Sequence, residues 1–284
     1  MRLKMHGEEE KRPMKNHPIK IIVLGLLVTM IYACARVPMT GRKQFKLLPE
    51  SEMVAMSLAQ YSGYLDTSEV LKAGANYNMV LNAGNKISKV VDEYFKGTKH
   101  ESDIAQYKWE FNLVNENVVN AWCMPGGKVV FYQGIMPICA NETGVAVVMG
   151  HEIAHAVARH GNERMSQGLA AQLGGVALTV AMADKQEETQ QLFNLAYGLG
   201  TQVGIMLPFS RLHESEADHM GLMFMAMAGY NPEEAPAFWE RMNAMGGARP
   251  PVFLSTHPNP AKRASDLKAL MPKATELYKK TLSN

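Results

Sequence analysis

One helix governs what this chain can fold into. Thr143 to Arg159 reads as a helix on its apolar spacing, and its interior carries His151 and His155, four residues apart. With 3.6 residues per turn, both rings stand on one face about one turn from each other, so two imidazoles can reach a single ion. Zinc suits such a pair: imidazole nitrogen binds it at about 2.0–2.1 Å, and a catalytic site takes three protein ligands and leaves a fourth position for water. Glu152 follows His151 directly, which keeps it out of the ligand shell yet close enough to take a proton from water, the general-base role of a His-Glu-x-x-His helix. Gly150 and Ala154 are small and let other backbone approach. The rest of the fold must therefore bring a third ligand across this helix.

The metzincin continuation is excluded, because it requires Gly at position 158 and His at position 161, where the chain has Ala158 and Gly161. His160 is out of register for a ligand and is expected to be solvated or to pack. Downstream, Ser210 to Asp218 starts another helical segment in which Glu214 and Asp218 share a face, one turn apart. Such a pair divides the work: Glu214 binds the metal, and Asp218 accepts a hydrogen bond from a ligating histidine and fixes its tautomer. His213, Glu216 and His219 point away from the Glu214 face and read as solvated helix residues. The expectation is one zinc ion per chain, held by His151, His155 and Glu214.

The N-terminus reads as an address. Lys15 and Lys20 precede an apolar run from Ile21 to Ala33, too short to span a bilayer and the right length for a signal-peptide core. It ends in Ile31-Tyr32-Ala33-Cys34, which resembles a bacterial lipobox, so Cys34 is expected to be lipidated after removal of residues 1–33. A triacylated cysteine anchors durably, at roughly 0.8 kcal/mol per buried CH₂. Ala35 rather than Asp follows the cysteine, which favours the outer membrane, facing the periplasm. In that oxidising compartment Cys123 and Cys139 can pair or stay as thiols. Six of the 29 basic and three of the 27 acidic residues lie in residues 1–33, so the remainder is nearly neutral. No basic cluster interleaved with aromatic residues is present, which excludes a nucleic-acid surface.

Helical spacing covers Glu50 to about Tyr61 and about Tyr77 to Tyr94, where Val80, Leu81, Ile87, Val90, Val91 and Tyr94 form one stripe. Lys108 to Val114 alternates as a strand, and Lys128 to Tyr132 follows the turn Met124-Pro125-Gly126-Gly127 as a second. After Cys139 the pattern is helical, with breaks at Gly161, near Asp184 to Glu188, at Pro208, at Gly229 to Pro232 and at Gly246 to Pro251. Asn231 before Pro232 and Asn259 before Pro260 read as helix caps. Gly168 to Ala183 is small-residue rich and expected to pack closely against other helices. The 21 Met residues are expected as soft core filler. The fold class is α+β and predominantly helical, with residues 34–48 as a tether and 49–284 as the metal-binding domain.

Five pieces together carry a family resemblance: the lipoprotein-like start, Asn120-Ala121-Trp122 with Pro125-Gly126-Gly127, His151 to His155, Ser210 to Asp218, and Thr256-His257-Pro258 with Arg263. From about Cys34 to Leu270 the chain resembles the membrane-linked zinc metallopeptidases that include HtpX, the CaaX prenyl endopeptidase, LoiP and BepA. The resemblance implies a zincin-like endopeptidase domain whose small sheet has an edge strand beside the metal-binding helix. That edge is expected at Lys128, Val129, Val130, Phe131 and Tyr132, where an unfolded or misfolded substrate adds itself as a strand. It further implies outer-membrane assembly proteins as partners. His257 and Arg263 are implied to face the site, either stabilising the oxyanion or, for the histidine, occupying the open zinc position. A chaperone-like lipoprotein with a latent metal site is the rival expectation.

Overall fold

The computed structural model describes residues 34–181, 207–245, 251–257 and 260–283. The apolar run Ile21 to Ala33, the breaks expected near 184–188 and at 246–250, and the cap at Asn259 lie outside them. Among the described residues the chain is mostly helix with two small sheets, an α+β fold.

A hairpin opens the structure, β1 (Cys34–Arg36) antiparallel to β2 (Lys43–Phe45). Helix α1 (Glu50–Asp66) follows, then the short β3 (Val70–Leu71) and α2 (Ala75–Phe95). After α3 (Glu101–Ile104) come three strands, β4 (Glu110–Val114), β5 (Ala121–Met124) and β6 (Lys128–Tyr132). They form one sheet with β3 in the order β3-β4-β6-β5; β4 and β6 run parallel, and β5 is antiparallel to β6.

This order corrects the expected substrate strand. Lys128 to Tyr132 is an inner strand, hydrogen-bonded on both sides, and the edges among the described strands are β3 and, next to β6, β5. The turn at Gly126 and Gly127, both at positive φ, folds β5 back along β6 and covers it. β5 escaped notice because Ala-Trp-Cys-Met is short and does not alternate.

The period-two alternation of β6 divides the packing. Val129 and Phe131 join the main core, whereas Val130 meets Tyr61, Tyr64 and Trp122 under α1. On the core face α2 lies so close to β4 that a Cβ on Gly84 would stand 2.4 Å from the Phe111 ring. Against α2 and β5 packs α5 (Glu142–Val157), reached through α4 (Met136–Cys139) and started by Asn141, whose side chain accepts from the Gly144 amide at 3.0 Å. The helix expected over 143–159 is thus present, one residue early at its start and two short at its end. Cys123 and Cys139 are free thiols.

Helix α6 (His160–Ala181) turns away after Arg159, whose φ of 58° breaks the path two residues before the expected Gly161. Then α7 (Leu207–Met227), α8 (Glu234–Ala244), α9 (Val252–Thr256) and α10 (Pro260–Leu282) close over α5. Pro208 falls in the first turn of α7, where a missing N–H costs nothing. Asn231 caps a turn ahead of α8, accepting from Glu233 at 3.1 Å. Among the described residues no helix is long and apolar enough to cross a membrane.

Residues 34–48, expected as a tether, are docked: Gln44 is buried and bonds the Ala158 carbonyl at 2.7 Å, and the Leu47 amide bonds Ser166 at 2.9 Å.

The crossing of α5 and α7 brings backbone directly against backbone. A Cβ on Gly150 would lie 2.7 Å from the Gly221 carbonyl oxygen, and one on Gly221 would lie 2.7 Å from the backbone nitrogen of His151. Replacing Gly221 with Val is expected to force the helices apart and cost about 1–3 kcal/mol, read as a lowered midpoint in thermal denaturation.

Candidate metal centre

The close crossing sets His151 and His155 on α5 against Glu214 and Asp218 on α7. Nε2 of His151 and Nε2 of His155 lie 3.0 Å apart. Glu214 spans them, with Oε2 at 3.4 Å from the first and Oε1 at 3.3 Å from the second. A tetrahedron built on zinc bonds of about 2.0–2.1 Å has edges of about 3.3–3.4 Å, close to the 3.0–3.4 Å that separate the two imidazole nitrogens from each other and from the Glu214 carboxylate oxygens. His257, closing α9, brings Nδ1 to 2.8 Å from Glu214 Oε2 and 3.1 Å from His151 Nε2. All four ligand atoms fall within 4.8 Å of one another.

The charges fit a dication. The carboxylates of Glu152, Glu214 and Asp218 are buried together, with Arg263 as the buried cation among them. That leaves two negative charges which a divalent ion balances. The field has the same sense at His151: burial and Arg263 lower its pKa, but Asp218 and Glu214 override them and raise it to about 9. Burial holds His155 well below its ordinary value, keeping it neutral as a ligand must be. Burial alone would raise Glu214, yet the histidines around it hold its carboxyl far below the usual range.

Asp218 supports the site from behind. Its Oδ1 lies 3.1 Å from His151 Nδ1, which directs Nε2 of that ring at the ligand cluster. Arg263, on α10, donates from Nε to Asp218 at 2.7 Å and brings Nη1 to 3.1 Å from Glu214. Its guanidinium thus faces both carboxylates, with Nη1 making no hydrogen bond. It also lies flat on Trp239 of α8, with Cζ 3.4 Å from the ring centre. Trp239 in turn meets His151 at 6.0 Å and stacks on Phe253 at 5.7 Å, and Phe253 lies 4.5 Å from His257. Sequence reasoning missed this aromatic floor; a lone Trp in an ordinary amphipathic helix carries no signal of its neighbours.

Glu152 is 3% exposed, and its Oε1 has no hydrogen-bond partner; the nearest cation-forming group is His257 Nε2 at 3.5 Å. Burial pushes its carboxyl up. The same charge adds to burial in raising the Cys123 thiol, since β5 runs beside α5 here.

His213 and Glu216, expected at the surface, are inside, and His160, expected to be solvated or to pack, is packed. His160 is 0%, His213 2% and Glu216 6% exposed, because the N-terminal hairpin and α6 pack over the back of α7. Burial lowers the His160 pKa to about 4, so its ring is neutral. His219 is half-buried.

A family model described as Peptidase family M48 matches residues 84–271, more than half of the chain. The chain belongs to peptidase family M48. The M48 match contains every residue of the site from His151 to Arg263, while the hairpin lies outside it. Members of this family use zinc, in agreement with the donor set here. The M48 chain is 39% identical over 175 residues to the mitochondrial metalloendopeptidase OMA1 of Schizosaccharomyces pombe, covering 61% of this chain and 50% of that one. It is 26% identical over 251 residues to human OMA1, covering 84% and 46%. With the β-barrel assembly-enhancing protease of Escherichia coli K12 it shares 34% identity over 165 residues, 56% of this chain and 33% of the other. The chain spans about half or less of the length of these relatives.

Removing the acceptor behind His151 while keeping its shape tests the arrangement. Asp218→Asn is expected to weaken zinc binding about 10- to 100-fold, measured by competition with a chromogenic chelator. Unchanged affinity would show that Asp218 does not orient a ligand.

Proposed function

We propose that this chain is a zinc-dependent endopeptidase of a bacterial cell envelope, lipid-anchored at Cys34 and facing the periplasm, which cleaves unfolded or misfolded proteins. One observation carries the chemistry: two imidazole nitrogens and the Glu214 carboxylate oxygens gathered at 3.0–3.4 Å, with the buried Glu152 beside them, its Oε1 without a hydrogen-bond partner. His151, His155 and Glu214 hold the ion. When bound, zinc polarises a peptide carbonyl and makes water a stronger acid.

Glu152 takes a proton from the attacking water as its oxygen adds to the carbonyl carbon. It then delivers that proton to the departing amine as the carbon–nitrogen bond breaks. Burial keeps bulk water from solvating this carboxylate, and the apolar wall of α5 fixes where it points. Asp218 keeps Nε2 of His151 turned toward the metal. The peptide joins β5 as an added strand. Main-chain pairing gives affinity with little demand on side chains, as a protease of unfolded chains requires.

Support for the endopeptidase reading comes from the family and from relatives named as a metalloendopeptidase and a protease. The envelope location rests on the apolar run before Cys34 and on a relative named for β-barrel assembly, and outer-membrane assembly proteins follow as partners. Glu152→Gln is expected to slow casein hydrolysis by about 10²–10⁴-fold while zinc content stays at wild-type level. The same variant should fail to replace the wild-type chain in cells. Hydrolysis at the wild-type rate would refute the mechanism, and full replacement in cells without hydrolysis would favour the rival client-binding role.

The position of His257 favours a resting form. Its Nδ1, 2.8 Å from Glu214 and 3.1 Å from His151, takes the side on which substrate must bind. His257→Ala retains the other three donors and is expected to raise casein hydrolysis several-fold. A fall in rate would mark His257 as a catalytic group instead.

A further inference from the structure

The two histidines of α5 are supported differently. His151 has a carboxylate behind it, whereas His155 has another histidine: His160 Nδ1 lies 2.9 Å from His155 Nδ1. With Nε2 of His155 turned to the other ligand atoms, Nδ1 of the neutral ring carries the hydrogen and donates it to His160. Nε2 of His160 is then the protonated nitrogen and donates to Glu216 Oε2 at 3.0 Å. Glu216 also accepts from Arg42 Nε at 2.8 Å, and its other oxygen accepts from the Thr40 hydroxyl.

Arg42 is held in turn, donating from Nη1 and Nη2 to Glu163 at 3.0 and 2.7 Å. Glu163 takes further bonds from Gln44 and His213, each at 3.0 Å, and the His213 ring stacks on His160 at 4.4 Å. Every donor in the series from His155 to Glu216 points the same way, so a single tautomer satisfies it. Buried hydrogen bonds of this kind are costly to leave half-made. Thr40, Arg42 and Gln44 come from the hairpin, far from the site in sequence and outside the family match.

We propose that His160, clamped by Glu216 and the N-terminal hairpin, is a positioning residue that fixes the ring of His155 and so tightens zinc binding. The inference rests on His151, His155 and Glu214 being the zinc ligands. The hairpin is then a working part of the metal centre rather than a spacer. Its removal loosens the ion without touching a ligand.

Zinc affinity of the full chain, measured by chelator competition, tests this alongside the thermal midpoint of the zinc-free protein. His160→Leu is expected to weaken zinc binding about 10- to 100-fold, the range for lost outer partners of ligating histidines. His160→Asn offers an amide oxygen near the place of Nδ1 and is expected to recover part of that loss. Arg42→Ala, at the far end of the series, should weaken binding in the same direction by a smaller factor. The zinc-free midpoint should move equally for the Leu and Asn variants, so that only affinity separates them. Wild-type affinity in His160→Leu, or equal losses in Leu and Asn, would overturn the positioning role alone. If wild-type protein binds no zinc, or His155→Ala binds it as tightly, the ligand assignment fails as well.

Discussion

The contact between Gly150 and Gly221 is the constraint on which the site depends. Helices normally pack with axes 8–10 Å apart, separated by side chains. Here neither helix has a side chain at the crossing, and each presents bare backbone to the other. Only at that separation can the short Glu214 side chain reach both imidazoles one turn along the neighbouring helix. A methyl group at either position would push the carboxylate out of the tetrahedral spacing that zinc requires.

Around that crossing the site is built in shells of decreasing sequence signal. The ligand atoms come from two helices, and the first supports, Asp218 and His160, from the same or the next helix. The outermost groups come from elements with no common pattern: Arg263 on α10, Trp239 on α8, Arg42 on the hairpin. Buried charges occur throughout, and each has an opposite charge or a polar hydrogen in reach, as the cost of burial demands. At the centre, Oε1 of Glu152 and Nη1 of Arg263 have no hydrogen-bond partner, and an uncommitted acceptor such as Glu152 serves a reaction better than a satisfied one.

The sheet contributes core side chains and, at β5, an edge. β6 is sandwiched between β4 and β5, with Val129 and Phe131 on one face and Val130 on the other at 0% exposure. Buried on both faces and paired on both sides, it has nothing left to offer a substrate. β5, shorter and less apolar, lies against α5 and keeps one side of its backbone beyond the sheet.

The sequence by itself determined the helix carrying His151, Glu152 and His155, the helix carrying Glu214 and Asp218, and the α+β class, since these follow from periodicities of 3.6 and 2 that local chain geometry imposes. It also pointed to His257 and Arg263 through family resemblance. Tertiary structure alone decided which strand is the edge, because hydrogen-bond order in a sheet depends on how a turn folds back, and Lys128 to Tyr132 reads alike in the middle or at the rim. It decided that His160, His213 and Glu216 are inside, because a helix face is solvent-exposed only until another segment covers it, and the covering segment lies more than a hundred residues away. It turned Arg263 toward Asp218 for the same reason: the partner of a buried charge is chosen by packing across the fold, and no local pattern of residues encodes it.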